Sequence, residues 1–261
     1  MPIIQTATIR TYYKISGQGE ALVFIHGLGS SSQDWSFQTA FFPEYFRTIA
    51  YDVRGHGQSE KAKGPYSVQL FAKDLAALLA DLGIIKAHLV GLSMGGWIAF
   101  QFAVDFPEMT NSLTIVNSWA DMRPKSFYDY ANLFRRNILF RLFSMRKIGE
   151  ILGPKIFIKP EQKDLLQNFI ESWAENHKPS YMASMKAGTG WSVADQLDKI
   201  TCPVLVVAAD EDYTPVEAKQ KYVDELPDAR LEVIEDSRHA TPVEHPDEFN
   251  RLLLDFLQAR T

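Results

Sequence analysis

The run Leu89-Val90-Gly91-Leu92-Ser93-Met94-Gly95-Gly96-Trp97-Ile98-Ala99 constrains this chain more than any other stretch. An apolar segment meets a serine fenced by glycines and then turns helical, which reads as strand, sharp turn and helix. Glycine two residues either side of Ser93 lets strand and helix pack closely while the serine takes an unfavourable backbone conformation. Ser93 then stands at the strand tip with its hydroxyl clear of the sheet. The Met94 amide opens the helix, where unpaired N–H groups can hold an anion.

The flanking sequence supplies a matching framework. Residues 5–15 alternate polar and apolar and suit an antiparallel pair at a sheet edge before the turn Ser16-Gly17-Gln18-Gly19. Residues 21–25 are continuously apolar, as in a parallel strand buried on both faces, and run into His26-Gly27-Leu28-Gly29. A strand over 46–51 leads to Asp52-Val53-Arg54-Gly55-His56-Gly57-Gln58-Ser59, a tight turn whose charges read as structural ties. Ser67 caps a helix presenting Leu70, Phe71, Leu75, Leu78, Leu79 and Leu82, closed by Gly83. Strands at 87–91 and 112–116 enclose the helix after Ser93, which Pro107 ends. Such alternation predicts an α/β fold, a mostly parallel sheet with right-handed crossovers and helices on both faces.

Alternation stops between 120 and 191, where helices broken at Gly149, Gly153-Pro154, Pro160 and Pro179 are expected. This segment reads as a helical cap inserted after the sixth strand, dividing a core of residues 1–119 and 192–261. Strands at 204–209 and 231–234 and helices after Pro215 and from Pro246 complete that core. At 261 residues the chain can bury a sizeable interior.

A serine hydroxyl needs a base to become a nucleophile near neutral pH. Six histidines are available. His88 lies within a strand, His56 within the glycine turn and His26 before a loop, while His177 and His245 read as helix-end or surface residues. His239 sits in Glu235-Asp236-Ser237-Arg238-His239-Ala240-Thr241-Pro242, a polar loop from which a side chain can reach a neighbouring strand tip. It is the expected base. A carboxylate must fix its tautomer. Asp210 directly leaves the 204–209 strand, whereas Asp212 lies far enough along the loop to point over the sheet edge, so Asp212 is the expected acid.

In combination these motifs resemble the α/β-hydrolase superfamily, in its capped serine-hydrolase branch. They are His26-Gly27 followed by Trp35, Asp52-x-Arg54-Gly55-x-Gly57-x-Ser59, Gly91-x-Ser93-Met94-Gly95-Gly96, Pro203 to Asp212, and His239. The chain order Ser93, Asp212, His239 is the order of that family. The resemblance implies an oxyanion hole formed by the Leu28 and Met94 amides and places Asp212 in register from Pro203. Ala209 departs from the pattern, standing where the family usually has glycine. Serine at position 93 excludes the haloalkane dehalogenase and epoxide hydrolase branches, which use aspartate there. The phrase around Ser93 is similar to enol-lactonases and to small carboxylesterases.

The expected activity is hydrolysis of a carboxylic ester of a small or medium apolar acyl group through an acyl-enzyme, without metal or organic cofactor. The same residues can serve a lactone, enol-lactone or carbon–carbon bond hydrolase, and the fold also serves as a ligand-binding module without turnover. Trp119, Phe134, Leu139 and Trp191 are candidate substrate contacts. Leu133, Phe134, Ile138, Leu139, Phe140, Leu142 and Phe143 fall nearly all round one cap helix, which is therefore expected to be covered on more than one side. Nine lysines and arginines stand against two acids between Arg123 and Lys159, in a chain of net charge −5. Such a run usually forms a solvated face, or it receives an acyl-carrier protein. Nucleic acid is not an expected partner at this charge. A single cysteine, Cys202, fits a cytoplasmic location. The first residues lack the pattern of a signal peptide, and no run of about 18 apolar residues suggests a membrane span.

Overall fold

The structure is a computed structural model and describes residues 2–259. Met1, Arg260 and Thr261, assigned above to the core, lie outside the described residues. In chain order the elements are β1 (Ile3–Gln5), β2 (Arg10–Ser16), β3 (Ala21–Ile25), α1 (Ser36–Phe41), β4 (Arg47–Tyr51), α2 (Val68–Asp81), β5 (Ala87–Leu92), α3 (Met94–Asp105) and β6 (Thr110–Val116). There follow α4 (Phe127–Leu142), α5 (Met145–Ile156), α6 (Lys163–Ala174), α7 (Lys178–Gly188), β7 (Val204–Ala209), α8 (Val216–Val223), β8 (Ala229–Ile234), α9 (Thr241–Glu244) and α10 (Pro246–Gln258).

Eight strands form one sheet in the order β1-β2-β4-β3-β5-β6-β7-β8. β2 runs antiparallel to β1 and β4, and the remaining pairs are parallel. Every residue of β3, β5 and β7 is buried, because each of these strands is covered on both faces. One face packs Phe71, Leu75 and Leu79 of α2 with Ile98 and Phe102 of α3. The other packs Trp35 and Phe42 with Phe249, Leu253 and Phe256 of α10. The Ser67 side chain caps α2 by accepting from the Leu70 amide.

The four helices α4 to α7 lie between β6 and β7 in the chain. Their entry and exit pair with each other: the Met122 amide donates to the Trp191 carbonyl at 2.8 Å, and the Val193 amide to the Ala120 carbonyl at 2.9 Å. Phe140, Met145, Ile148, Trp173, Tyr181 and Met185 form a separate small core among these helices.

Two local expectations are overturned here. Gly149 and Gly153-Pro154 do not break the chain, because α5 runs continuously through them. Both glycines face α6, where a Cβ at Gly149 would approach Trp173 and Ile170 and one at Gly153 would meet Leu166 and Phe169. Their small size serves helix packing instead of a turn, and Pro154 falls in the last turn, where one lost hydrogen bond is tolerated. Nor is α4 covered on more than one side. Of its residues only Phe140 is buried, while Phe127, Phe134, Ile138 and Leu142 face solvent.

Candidate active site

Ser93 joins β5 to α3 with φ 54 and ψ −114, in the left-handed half of backbone space that a side chain rarely adopts. The glycines around it permit this. A Cβ at Gly91 would collide with the Gly95 carbonyl, and one at Gly95 with the Ile25 carbonyl. The Ser93 amide donates to the Val116 carbonyl at 3.0 Å, and the Ser118 hydroxyl donates to the Ser93 carbonyl at 2.7 Å, so β6 and the loop after it pin the turn on two sides. Among the described residues, neither the Leu28 nor the Met94 amide donates to a protein acceptor. Gly27 and Leu28 border the same cavity as Ser93.

The loop carrying Leu28 is tied down from below. His26 accepts the Val53 amide at Nε2, 2.9 Å, which leaves Nδ1 to donate to the Gly27 carbonyl at 2.8 Å. Burial lowers the His26 pKa and keeps the ring neutral for this bridging role. Asp52 accepts the Ser32 and Gln58 amides, each at 2.7 Å, and Arg54 holds Asp74 through two 2.6 Å contacts. The turn 52–59 is thus a brace between β4, α2 and the loop after β3.

His239 and Asp212 project from the loops after β8 and β7. His239 Nδ1 lies 2.9 Å from Asp212 Oδ1. Asp212 Oδ2 receives the Thr214 hydroxyl and lies 3.4 Å from the Lys219 ammonium, and both side chains of that ion pair are wholly buried. Burial pushes the Asp212 carboxyl up, but the hydrogen bond and charge of His239, the Thr214 hydroxyl and Lys219 outweigh it and hold the group below the ordinary carboxylate range. Asp210 points elsewhere, accepting the Ser237 amide at 3.1 Å and staying clear of His239.

Tyr213 completes the cluster. Its hydroxyl is 2.8 Å from His239 Nε2, its ring packs on the imidazole at a tilt of 33° with centroids 4.4 Å apart, and its hydroxyl is within reach of the Ser93 side chain. Burial, with the Asp212 charge, raises the Tyr213 pKa and keeps the phenol neutral, although much of the ring borders the open cavity.

The cavity above Ser93 measures about 1620 Å³ and is bordered by both the sheet loops and α4 to α7. That exceeds the roughly 300–1,000 Å³ of ordinary ligand sites, so a short acyl chain alone leaves much of it to solvent. Trp119 and Leu139 line it, but Phe134 and Trp191 do not. Phe134 is 67% exposed on the outer face of α4. Trp191 is buried where the chain rejoins the sheet, donating from Nε1 to Gln101 at 2.8 Å and packing on Trp97. Tyr213, Lys219 and Arg136 were not singled out by sequence as site residues. The Asp212-Tyr213-Thr214-Pro215 sequence offered a signal for the first, since a residue adjoining the expected acid shares its loop. Among the described residues, no group of three His, Cys, Asp or Glu side chains could hold a metal ion, and no helix is long and apolar enough to cross a membrane.

A strained serine at a parallel strand tip, bordering one cavity with a histidine held by a carboxylate, on a sheet of this order, is the arrangement of an α/β-type hydrolase. The sequence pattern of the alpha/beta hydrolase family matches residues 22–252, and the chain belongs to that family. It is similar to 3-oxoadipate enol-lactonase 2 of Acinetobacter baylyi, 30% identical over 244 residues, covering 91% of this chain and 89% of the relative. It is also similar to 2-hydroxy-6-oxononadienedioate/2-hydroxy-6-oxononatrienedioate hydrolase of Comamonas testosteroni, 29% identical over 268 residues, covering 96% and 92%. Among solved structures it resembles a thermophilic esterase from Thermogutta terrifontis at 25% identity, with a TM-score of 0.89, covering 99% of this chain and 98% of that one.

Proposed function

We propose that the protein hydrolyses carboxylic esters or lactones through an acyl-enzyme, with Ser93 as nucleophile, His239 as general base and acid, Asp212 orienting His239, and the Leu28 and Met94 amides as oxyanion hole. The observation that carries this reading is the 2.9 Å contact between His239 and a buried Asp212, reached in the same cavity as a serine with φ 54. Ser93 Oγ bonds to the carbonyl carbon as its proton passes to His239 Nε2, and the free amides of Leu28 and Met94 receive the oxyanion. The carbon–oxygen bond then breaks, the alkoxide leaving with the proton from His239. Water repeats the sequence and frees the acid and Ser93. The Tyr213 hydroxyl lies on the proton's path and turns aside as substrate enters, because Oγ and Nε2 have to come within hydrogen-bond reach.

In this reading residues 1–119 and 192–261 form the catalytic core and 120–191 a cap, a division supported by the pairing of its two ends at Ala120–Val193 and Met122–Trp191. Leu139, Phe140 and Trp173 of the cap give the cavity an apolar wall suited to a small or medium acyl group. The lactone alternative draws support from the enol-lactonase relative, and the carbon–carbon alternative from the dienedioate hydrolase. Delivery of the acyl group by an acyl-carrier protein is a narrower form of the ester reading, supported by the exposed Arg141 and Arg146 and by Arg135 at the cavity edge.

An organophosphonate should add its mass to the peptide bearing Ser93, and Ser93→Ala should lose on the order of 10⁴ to 10⁶ in turnover while remaining folded. Labelling of any other residue, or full activity in Ser93→Ala, overturns the assignment.

A further inference from the structure

Helix α4 carries apolar residues on its solvent side as well as on its cavity side. At about 100° per residue, Phe127, Phe134 and Ile138 fall on one side and Arg136 on the opposite side, between Leu139 and Phe140. The Phe127 side faces solvent, and the side carrying Arg136, Leu139 and Phe140 faces the cavity. Arg136 therefore stands in the cavity wall beside Phe140, whose ring stacks on Tyr181 at 4.9 Å and 8°. Its Nε is sealed from solvent without a hydrogen-bond partner, and no carboxylate pairs with its guanidinium among the described residues.

None of the acids around the cavity stands in for that partner. Glu211 is already paired with Arg238 at 2.7 Å, and Asp34 is taken up by the Ser30 hydroxyl. Glu171 and Glu175 also border the cavity, but neither reaches Arg136. The positive charge is felt by the Tyr213 and Tyr181 hydroxyls, whose deprotonation it favours against the larger opposing effect of burial. A guanidinium in a cavity wall without a counter-charge is a fork for a planar anion, which it meets with two parallel hydrogen bonds.

We propose that Arg136 recognises a carboxylate carried by the substrate in addition to the carbonyl that Ser93 attacks. The proposal rests on the hydrolase reading above and narrows it: the preferred substrate is an ester or lactone of a molecule with a second, ionised acid group. Arg136 then fixes that group while the scissile carbonyl lies over Ser93, so the arginine sets specificity and takes no part in bond breaking.

The test uses matched pairs of substrates. On the acyl side, p-nitrophenyl butyrate is compared with the mono-p-nitrophenyl esters of succinate, glutarate and adipate; on the alcohol side, phenyl acetate is compared with 4-acetoxybenzoate. The native protein should favour the charged member of at least one pair by roughly tenfold or more in kcat/KM, the scale of one charge-assisted contact. In Arg136→Met that preference should fall to near unity, mainly through KM and mainly for the charged substrate, and Arg136→Lys should restore part of it. No preference for the charged member in either series by the native protein overturns the proposal, whether or not the variants fold. A preference that survives in Arg136→Met overturns it as well. Ser93→Ala separates the two levels: if it abolishes turnover of both members while charged and neutral rates are equal in the native protein, the hydrolase reading stands and Arg136 is not a specificity residue. Turnover that persists in Ser93→Ala overturns both.

Discussion

Asp212 accepts His239 on one oxygen and the Thr214 hydroxyl on the other, with Lys219 behind it, whereas Asp210 accepts only backbone amides. Asp212→Asn should therefore lower turnover by up to about 10⁴ with little change in substrate affinity, because the amide can fix the wrong imidazole tautomer while leaving the pocket intact. Asp210→Asn should cost far less, and the reverse order of effects would move the orienting role to Asp210. The same contacts give a pH signature. A carboxyl held below its unfolded value of 3.8 contributes stability that is present above that pH and is lost as pH falls through the lower folded value. Melting temperatures of native and Asp212→Asn protein should thus converge as the pH drops below about 4. A gap that persists unchanged to the lowest pH at which both fold would show that the charge of Asp212 is not what it contributes. The turn at Ser93 and the meeting of Asp212 with His239 were legible in sequence, because local glycine spacing and the order of loops after the strands report them. Arg136, Tyr213 and Lys219 were not, because their significance depends on which way a helix faces and which loop folds over which. Phe134 and Trp191 were misread as pocket residues for the same reason: aromatic character does not reveal whether a ring faces cavity, solvent or core.

At the level of elements, glycine was read correctly as a turn device around Ser93 and incorrectly within α5. Sequence alone gives both cases the same letter, and only the partner surface separates them. Gly95 lies against the backbone carbonyl of Ile25, which belongs to a central strand and cannot retreat. Gly153 lies against the tip of the Leu166 side chain, which can. Gly95→Ala should accordingly destabilise by about 3 kcal/mol or more, the upper end of overpacking costs. In Gly153→Ala the cost of displacing Leu166, about 1 kcal/mol, is offset by the roughly 1 kcal/mol gain in helix propensity, and the net change should be small. Denaturant melts of the two variants check this contrast, and equal losses would mean that α5 and α6 are held as rigidly as the sheet. The strands were legible because apolar runs flanked by turn residues mark them. The exposure of α4 was not, since a helix with apolar residues all round carries no signal for which side its neighbours leave open.

On the scale of the whole molecule, net charge −5 coexists with a basic segment between Arg123 and Lys159, and pairing decides how much of that segment a partner could feel. Arg123 and Lys125 are neutralised by Asp121, with Asp195 also on Arg123; Lys147 pairs with Glu150, and Lys159 with Asp236. Arg136 faces the cavity. Among the described residues this leaves Arg135, Arg141, Arg146 and Lys155 exposed without a carboxylate partner in the segment, and of these Arg135 and Lys155 also border the cavity. An acyl-carrier protein docking there would be steered by few charges, and exposed charges are screened over about 8 Å at physiological ionic strength. If carriers deliver the acyl group, kcat/KM for an acyl-carrier ester should fall several-fold between about 20 and 300 mM salt while a neutral small ester changes little. Arg141→Glu/Arg146→Glu should then weaken the carrier ester at low salt and flatten its salt dependence. Arg136 is left in place for this measurement, because reversing its charge would disturb the cavity as well as the surface. Equal and slight salt effects on both substrates, indifferent to the charge reversal, would assign the basic segment to internal ion pairs and a solvated face and leave free small molecules as the substrates.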